Sequence, residues 1–318
     1  MHLAVDVGHG YVKALAVSGG RALFPSLIIP AARTVELVGY AHERPVLLDG
    51  APYWVGEVAR RAGATALWSR DKAADTETFR LAVVAAARLG ADGPVRIATG
   101  LPLAWFAAQR QALAAAWGGR TVTVQIPGEP ARRVWFETVT VLPQGVAAAA
   151  AVLARPGWAP GPYLVCDVGY RTTDWILVER SADGRLQYDP TAADSVEGGT
   201  GDVARRVAAA LTDETGVPFS PAEVETADVV HVRGRAVPLD EPRRAARQAV
   251  ARQLHDRLAE ALGDRIAKLA GLVAVGGGAA LAADAWPEAV IPADPQWANA
   301  AAYRDALLAA AGPRPAWV

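Results

Sequence analysis

Two short stretches of this 318-residue sequence order their residue types in a way that suits an anion. In the first, the apolar run Leu3-Ala4-Val5 ends in Asp6, Gly8 follows two residues later, and Lys13 five after that. In the second, Leu164-Val165-Cys166 ends in Asp167, Gly169 follows at the same offset, and Asp174 stands where the first has its lysine. A glycine turn between two strands lets backbone N–H groups approach an anion and cradle it. Two such turns facing each other grip a polyphosphate from both sides. Lys13 adds positive charge for a β- or γ-phosphate. Asp6 and Asp167, each at a strand end, suit Mg²⁺ held mostly through its water shell. Taken singly, either stretch is equally an ordinary β-hairpin with a turn aspartate. The repeat of strand, turn and polar offset points to an internal duplication.

Two further glycine runs have the same flavour. Val273-Ala274-Val275 leads into Gly276-Gly277-Gly278 and then a helical pattern, so bare backbone and a helix N-terminus can pack against a ligand. No lysine follows the glycines, so this is not a Walker loop, and the spacing is not that of the dinucleotide fingerprint. The run Glu197-Gly198-Gly199-Thr200-Gly201-Asp202 precedes another helix. It reads either as a capped helix start or, through Gly198, Gly199 and Asp202, as lining for a ribose or base.

These residues need strands and helices in alternation to hold them. Leu3–Val7 and Tyr11–Val17 read as a hairpin, with a strand-rich region to about Val55. Helices are expected over Thr76–Leu89, with Thr76 as cap, and over Leu103–Trp117, Gln144–Leu153, Gly201–Thr215, Glu241–Leu262 and Asn299–Ala310. Strands are expected over Pro94–Thr99, Thr121–Ile126, Val134–Leu142, Tyr163–Gly169, Thr173–Glu179 and Leu272–Val275. In the long helix Val250, Leu254, Leu258 and Leu262 make one apolar stripe, and Arg243, Arg244, Arg247, Arg252 and Arg257 read as a solvated face or a filament contact. The class is α/β. The segment 155–162 holds three prolines and two glycines and is the expected domain junction. Domain I is then 1–155, with 297–318 returning to it, and domain II is 156–296.

Composition narrows the function. With 32 basic against 33 acidic residues the chain lacks the basic excess of a protein that binds nucleic acid over its surface. The single cysteine, Cys166, excludes an internal disulfide and any multi-cysteine metal site, and His2, His42, His231 and His255 have no metal-ligand spacing. The N-terminus runs straight into a strand, and the most apolar stretch, Val146–Leu153, is too short for a bilayer, so a soluble cytoplasmic protein without membrane contact is expected.

Taken in order, the blocks resemble the superfamily of actin, the sugar kinases and the DnaK-type chaperones. Asp6-Val7-Gly8-His9-Gly10-Tyr11-Val12-Lys13 resembles its first phosphate motif. Leu142-Pro143-Gln144-Gly145-Val146-Ala147-Ala148 resembles its first connecting helix. Asp167-Val168-Gly169-Tyr170-Arg171-Thr172-Thr173-Asp174 resembles the second phosphate motif, and Gly276-Gly277-Gly278 the adenosine motif. The ending Thr172-Thr173-Asp174, the short length and the tail Asp294-Pro295-Gln296-Trp297-Ala298-Asn299 are most similar to the ParM/StbA-type plasmid segregation actins and their archaeal relatives.

The resemblance implies an actin-like, ribonuclease H-like duplicated fold with a nucleotide cleft between two domains. It implies ATP or GTP with Mg²⁺ as ligands, Gln144 orienting the attacking water and Asp167 polarising water and the Mg²⁺ shell. His9 departs from the family, which often has serine or threonine there; it either contacts the γ-phosphate or faces solvent. The implied function is a filament-forming ATPase that partners itself and, through a separate DNA-binding adaptor, segregates a plasmid. The alternative is a non-polymerising small-molecule kinase, whose catalytic aspartate is not evident in residues 60–110.

Overall fold

The computed structural model describes residues 1–31, 43–65, 69 and 71–310. His42 and the last part of the returning segment, 311–318, lie outside the described residues. Contacts divide the chain into two compact units, Met1–Ala147 with the segment that returns at Asn299, and Ala148–Ala298.

In the first unit the alternation of small apolar residues folds as strands β1 (His2–Val7), β2 (Tyr11–Ala16), β3 (Arg21–Pro25), β4 (Ile28–Pro30), β5 (Val46–Leu48), β6 (Ala51–Val55), β7 (Gly93–Leu101), β8 (Thr121–Gln125) and β9 (Arg132–Pro143). Among the described residues they form one sheet in the order β3-β2-β1-β7-β9-β8-β5-β6-β4. Its helices are α1 (Glu57–Arg61), α2 (Thr76–Arg88) and α3 (Leu103–Trp117), and α4 (Val146–Leu153) leads out of the unit. Helix α2 is buried almost all round, which its run of alanine, valine and leucine between Leu81 and Ala87 allows. Its Phe79 packs with Trp117 and Phe136, the three rings edge-on or tilted with centroids 5.7–6.0 Å apart. The cap of α2 is Asp75, not Thr76. The Asp75 carboxylate accepts the Glu77 N–H at 2.9 Å and the Thr78 hydroxyl at 2.7 Å, and Thr76 is already helical.

The second unit holds β10 (Gly161–Val168), β11 (Thr172–Arg180), β12 (Leu186–Glu197), a small hairpin of β13 (Val229–Val232) and β14 (Arg235–Pro238), and β15 (Gly271–Val275). Its helices are α5 (Thr200–Thr215), α6 (Pro221–Val224), α7 (Asp240–Leu262) and α8 (Ala279–Ala285). The final helix α9 (Ala298–Ala310) carries the chain back into the first unit. The main sheet runs β12-β11-β10-β15. The α7 stripe of Val250, Leu254, Leu258 and Leu262 is buried as its spacing predicts. The arginines are not simply a solvated face. Arg243 donates to the Val224 carbonyl at 3.0 Å, Arg247 reaches Asp284 at 2.7 Å and Arg257 bonds the Glu197 carbonyl, while Arg244 and Arg252 are exposed.

The duplication is visible in the strand order. In each unit a first strand pairs antiparallel with a second, the second antiparallel with a third, and the first lies parallel to a much later strand: β1, β2, β3 and β7, then β10, β11, β12 and β15. No helix among the described residues is long and apolar enough to cross a membrane.

Candidate functional site

The residues singled out above fall into two clusters, one in each unit. In the first unit β1 delivers Asp6 to its end, 3% exposed. Register sets Asp6 opposite Lys13 on β2, and directly opposite residues share a face of the sheet. The Lys13 ammonium lies 2.9 Å from Asp6 Oδ2. The other oxygen, Oδ1, accepts from Gln144 Nε2 at 3.0 Å. A carboxylate only accepts, so Asp6 fixes the facing of the Gln144 amide, nitrogen toward Asp6, and leaves the amide oxygen as the end that can accept a hydrogen bond from water. Gln144 lies in the turn before α4 rather than in the helix. Its own N–H is held by the Leu101 carbonyl at 2.8 Å, and Gly145 turns the chain at φ 72°.

The turn itself is closed by the Gly8 N–H on the Tyr11 carbonyl at 3.2 Å, and the Gly10 carbonyl accepts from the Ser26 N–H at 2.9 Å. A Cβ on Gly8 would stand 3.1 Å from the Lys13 ammonium, so glycine leaves that cation its space. Tyr11 turns its phenol toward Arg60 of α1 at 3.4 Å. His9 does not simply face solvent. It is half-buried, its ring edge-on to Trp105 of α3 with centroids 6.3 Å apart.

Lys72, a residue the sequence did not single out, reaches the same loop. It is 5% exposed, and its ammonium donates to the Val7 carbonyl at 2.7 Å, where β1 enters the turn. It lines a cleft of about 200 Å³ with Gly8, His9, Ser69, Asp75 and Thr78. The signal that could have found it is compositional: the chain has only three lysines, and Lys13 and Lys72 both serve this loop. A lysine ammonium is a compact point charge on a flexible stem, suited to a narrow buried position that an arginine fork does not fit.

In the second unit the Gly169 N–H closes on the Thr172 carbonyl at 2.9 Å, the counterpart of the bond at Gly8. The glycine runs pack onto this hairpin. The Thr200 and Gly201 N–H groups donate to the carbonyls of Gly169 and Tyr170 at 3.1 and 2.8 Å, and the Gly278 N–H donates to Val168 at 2.8 Å. A Cβ on Gly199 would come 2.4 Å from the Gly169 carbonyl oxygen, so close packing alone demands glycine there. Gly277 faces Gln296, and the Gly276 N–H donates to the Pro295 carbonyl at 2.9 Å, which places the tail 294–297 on this turn. Asp202 caps α5 through the Gly199 N–H at 3.1 Å and also pairs with Arg205. Arg171 pairs with Glu197 at 3.3 Å, and the Thr173 hydroxyl donates to the Gly198 carbonyl at 2.9 Å. Cys166 is fully buried, and burial together with neighbouring Asp167 pushes its thiol far up, so it is no nucleophile at neutral pH.

Asp167 and Asp174 are direct cross-strand partners and both are buried. Asp174 also accepts from the Ser195 hydroxyl. Like charges directly opposite cost stability that a cation relieves. Among the described residues no group of three or more metal-ligating side chains occurs. Two buried carboxylates facing one another offer few protein ligands and suit an ion that keeps most of its waters, as Mg²⁺ does. Asp6, with one oxygen on Lys13 and the other on Gln144, fits such an ion less well.

The chain is similar to known proteins in family and in fold. Residues 4–146 match the family described as actin-like proteins, N-terminal domain, and residues 165–287 match the archaeal actin homologue MreB-like C-terminal family. An archaeal actin homologue of Thermoplasma volcanium is 29% identical over 96% of this chain and 98% of its own length. The crystal structure of an archaeal actin homologue in complex with ADP superposes with a TM-score of 0.80, at 26% identity, over 96% of this chain and 99% of that one. The fold is also that of the subunit in a 15-stranded ParM filament from Clostridium botulinum, with a TM-score of 0.81, 21% identity, and 96% and 97% of the two chains covered.

Proposed function

We propose that this chain, which belongs to the actin-like superfamily, is a nucleotide-switched, filament-forming ATPase that segregates a plasmid or similar DNA. The observation that carries the proposal is the twice-built hairpin. Gly8 and Gly169 close the same turn on equivalent strands, with Asp6 and Asp167 at the same offset. An ADP complex and a filament among its structural relatives support the same reading.

The roles follow from the chemistry of each cluster. Gly8, His9, Gly10 and Tyr11 offer the first turn to the phosphates, with Lys13 and the buried ammonium of Lys72 supplying charge. Gly169, Tyr170, Arg171, Thr172, Thr173 and Asp174 form the second turn. Gly198, Gly199 and Asp202 line the ribose or base, and Gly276, Gly277 and Gly278 the adenosine, of ATP or GTP. Gln144 orients the attacking water through its amide oxygen, a positioning task that needs no strong base. Asp167 would polarise water and hold a hydrated Mg²⁺ ion, which when bound would supply positive charge toward the phosphate oxygens. ATP favours a head-to-tail contact between copies, and such contacts build open helical filaments. DNA is reached through a separate adaptor, because the chain has no basic excess.

Sedimentation of the purified protein with ATP, with a slowly hydrolysed analogue and without nucleotide tests the proposal. Pelleting that depends on nucleotide is expected. A protein that hydrolyses ATP yet stays monomeric in every condition overturns the filament and leaves a small-molecule kinase.

A further inference from the structure

Beside the two places where the chain passes between its compact units, a buried hydrogen bond links the two segments. The first passage lies at Ala147–Ala148 within α4 and the second at Ala298–Asn299, where α9 begins. The Gly145 N–H, just before the first passage, donates to Oδ1 of Asn299, just after the second, at 3.2 Å. The bond is buried, and Asn299 is 6% exposed. Gly145 directly follows Gln144, so Gln144 is held at three points: its own N–H on Leu101, its side chain on Asp6, and the next peptide on Asn299. One turn further along α9, Tyr303 is fully buried against the same loop. A Cβ on Gly100 would lie 1.8 Å from the Tyr303 hydroxyl oxygen and 3.1 Å from Cγ of Gln144, so Gly100 stays bare to let Tyr303 in beside Gln144.

We propose that Asn299 is a positioning residue for Gln144, latching the peptide that follows it. The inference rests on the role given to Gln144 above and adds the residue that aims it. A glycine at φ 72° gives the loop little stiffness of its own. A buried N–H that loses its acceptor is driven to find another, so without Asn299 the peptide rotates and carries the Gln144 amide with it. Misplacing a reacting geometry by about 1 Å costs on the order of 10²-fold in rate.

The test measures hydrolysis and nucleotide affinity for Asn299→Ala, Asn299→Asp, Gln144→Ala and the double variant Gln144→Ala/Asn299→Ala. Asn299→Ala is expected to slow hydrolysis by roughly 10- to 100-fold, with affinity within about threefold of wild type. Asn299→Asp keeps the accepting oxygen and is expected to recover most of the rate; should the alanine variant not fold, Asn299→Leu, which keeps the bulk and removes the acceptor, serves in its place. The double variant is expected to be no slower than Gln144→Ala alone, since residues acting as one unit are non-additive. Additive losses, an unchanged rate in Asn299→Ala, a rate in Asn299→Asp as low as in Gln144→Ala, or affinity lost in step with rate each overturn this inference alone. A wild-type protein that binds nucleotide without hydrolysing it overturns the role of Gln144 and the inference with it.

Discussion

Asp6 and Gln144 stand 138 residues apart and share a buried hydrogen bond of 3.0 Å, from the Gln144 amide nitrogen to Asp6 Oδ1. The bond decides which end of the amide is available for water. Gln144→Ala is expected to lower hydrolysis by roughly 10²-fold while nucleotide affinity stays within a few-fold. Collapse of binding in that variant would make Gln144 a structural residue. Gln144→Glu sets a second carboxyl against Asp6, and two like charges so close favour keeping one proton between them. Its protonated form can donate to Asp6 as the amide does. Activity of Gln144→Glu relative to wild type is therefore expected to rise as pH falls from about 8 to about 5. A flat profile shared by both proteins contradicts the Asp6 contact.

Asp167→Ala is expected to nearly abolish hydrolysis and to remove its dependence on Mg²⁺. Asp167 sits at the end of β10 opposite Asp174, so the substitution also relieves a like-charged pair and should not unfold the sheet. Circular dichroism establishes that the variant is folded. Normal turnover by a folded Asp167→Ala protein sinks the site assignment.

Gly276→Ala tests the packing in the second cluster. Gly276 adopts φ 86°, and a Cβ there would lie 2.4 Å from Asp167 Oδ1 and 2.5 Å from the Val168 carbonyl oxygen. Left-handed strain and overpacking together are expected to cost about 2–4 kcal/mol. Denaturant unfolding of the second unit's signal measures it; a cost under about 0.5 kcal/mol, the level of an ordinary surface change, contradicts the geometry.

Much of the scaffold was legible because its signals are local. The hairpin at Asp6 and the one at Asp167 are apolar runs punctuated by glycine, and α3 falls where its bounds were expected, Leu103–Trp117. The long strand β12 was not legible. Its sequence contains Asp189, Pro190 and Asp194, and it lies at the edge of its sheet, where one side needs no partner and a proline is tolerated. The strand's pairing with β11 also slips between Ile176 and Val178. The contacts of Lys72 and Asn299 escaped for a different reason. Their partners, Val7 and Gly145, are 65 and 154 residues away, and no periodicity or motif encodes a single long-range contact.

Lys72→Met keeps the stem and removes the ammonium from the Val7 carbonyl. A buried carbonyl that loses a charged donor is expected to cost about 1–3 kcal/mol. Nucleotide affinity is expected to fall as well, since the loop loses a nearby cation. Titration calorimetry with ATP reads the second effect; wild-type affinity in Lys72→Met assigns the residue to folding alone.

Polymerisation is the prediction on which the choice of function turns, because one clamp can serve kinases, chaperones and filaments alike. The likeness to a ParM filament subunit covers 96% of this chain and 97% of that one, so it is a likeness of the whole fold rather than of a nucleotide domain alone. The described aspartates of residues 60–110 are engaged: Asp71 accepts from the Ala73 N–H, Asp75 caps α2 and Asp92 accepts from the Arg133 N–H. ATP or a slowly hydrolysed analogue is therefore expected to convert monomer to pelletable filament above a critical concentration. Gln144→Ala should lengthen filament lifetime, because slower hydrolysis prolongs the ATP state that favours the contact. Light scattering followed over time reads both effects in one trace: a rise on adding nucleotide, then a decay that is slower in Gln144→Ala than in wild type. Decay at the same rate in both proteins uncouples hydrolysis from disassembly. Absence of any rise, with ATP and with GTP and in several salts, moves the function to the kinase.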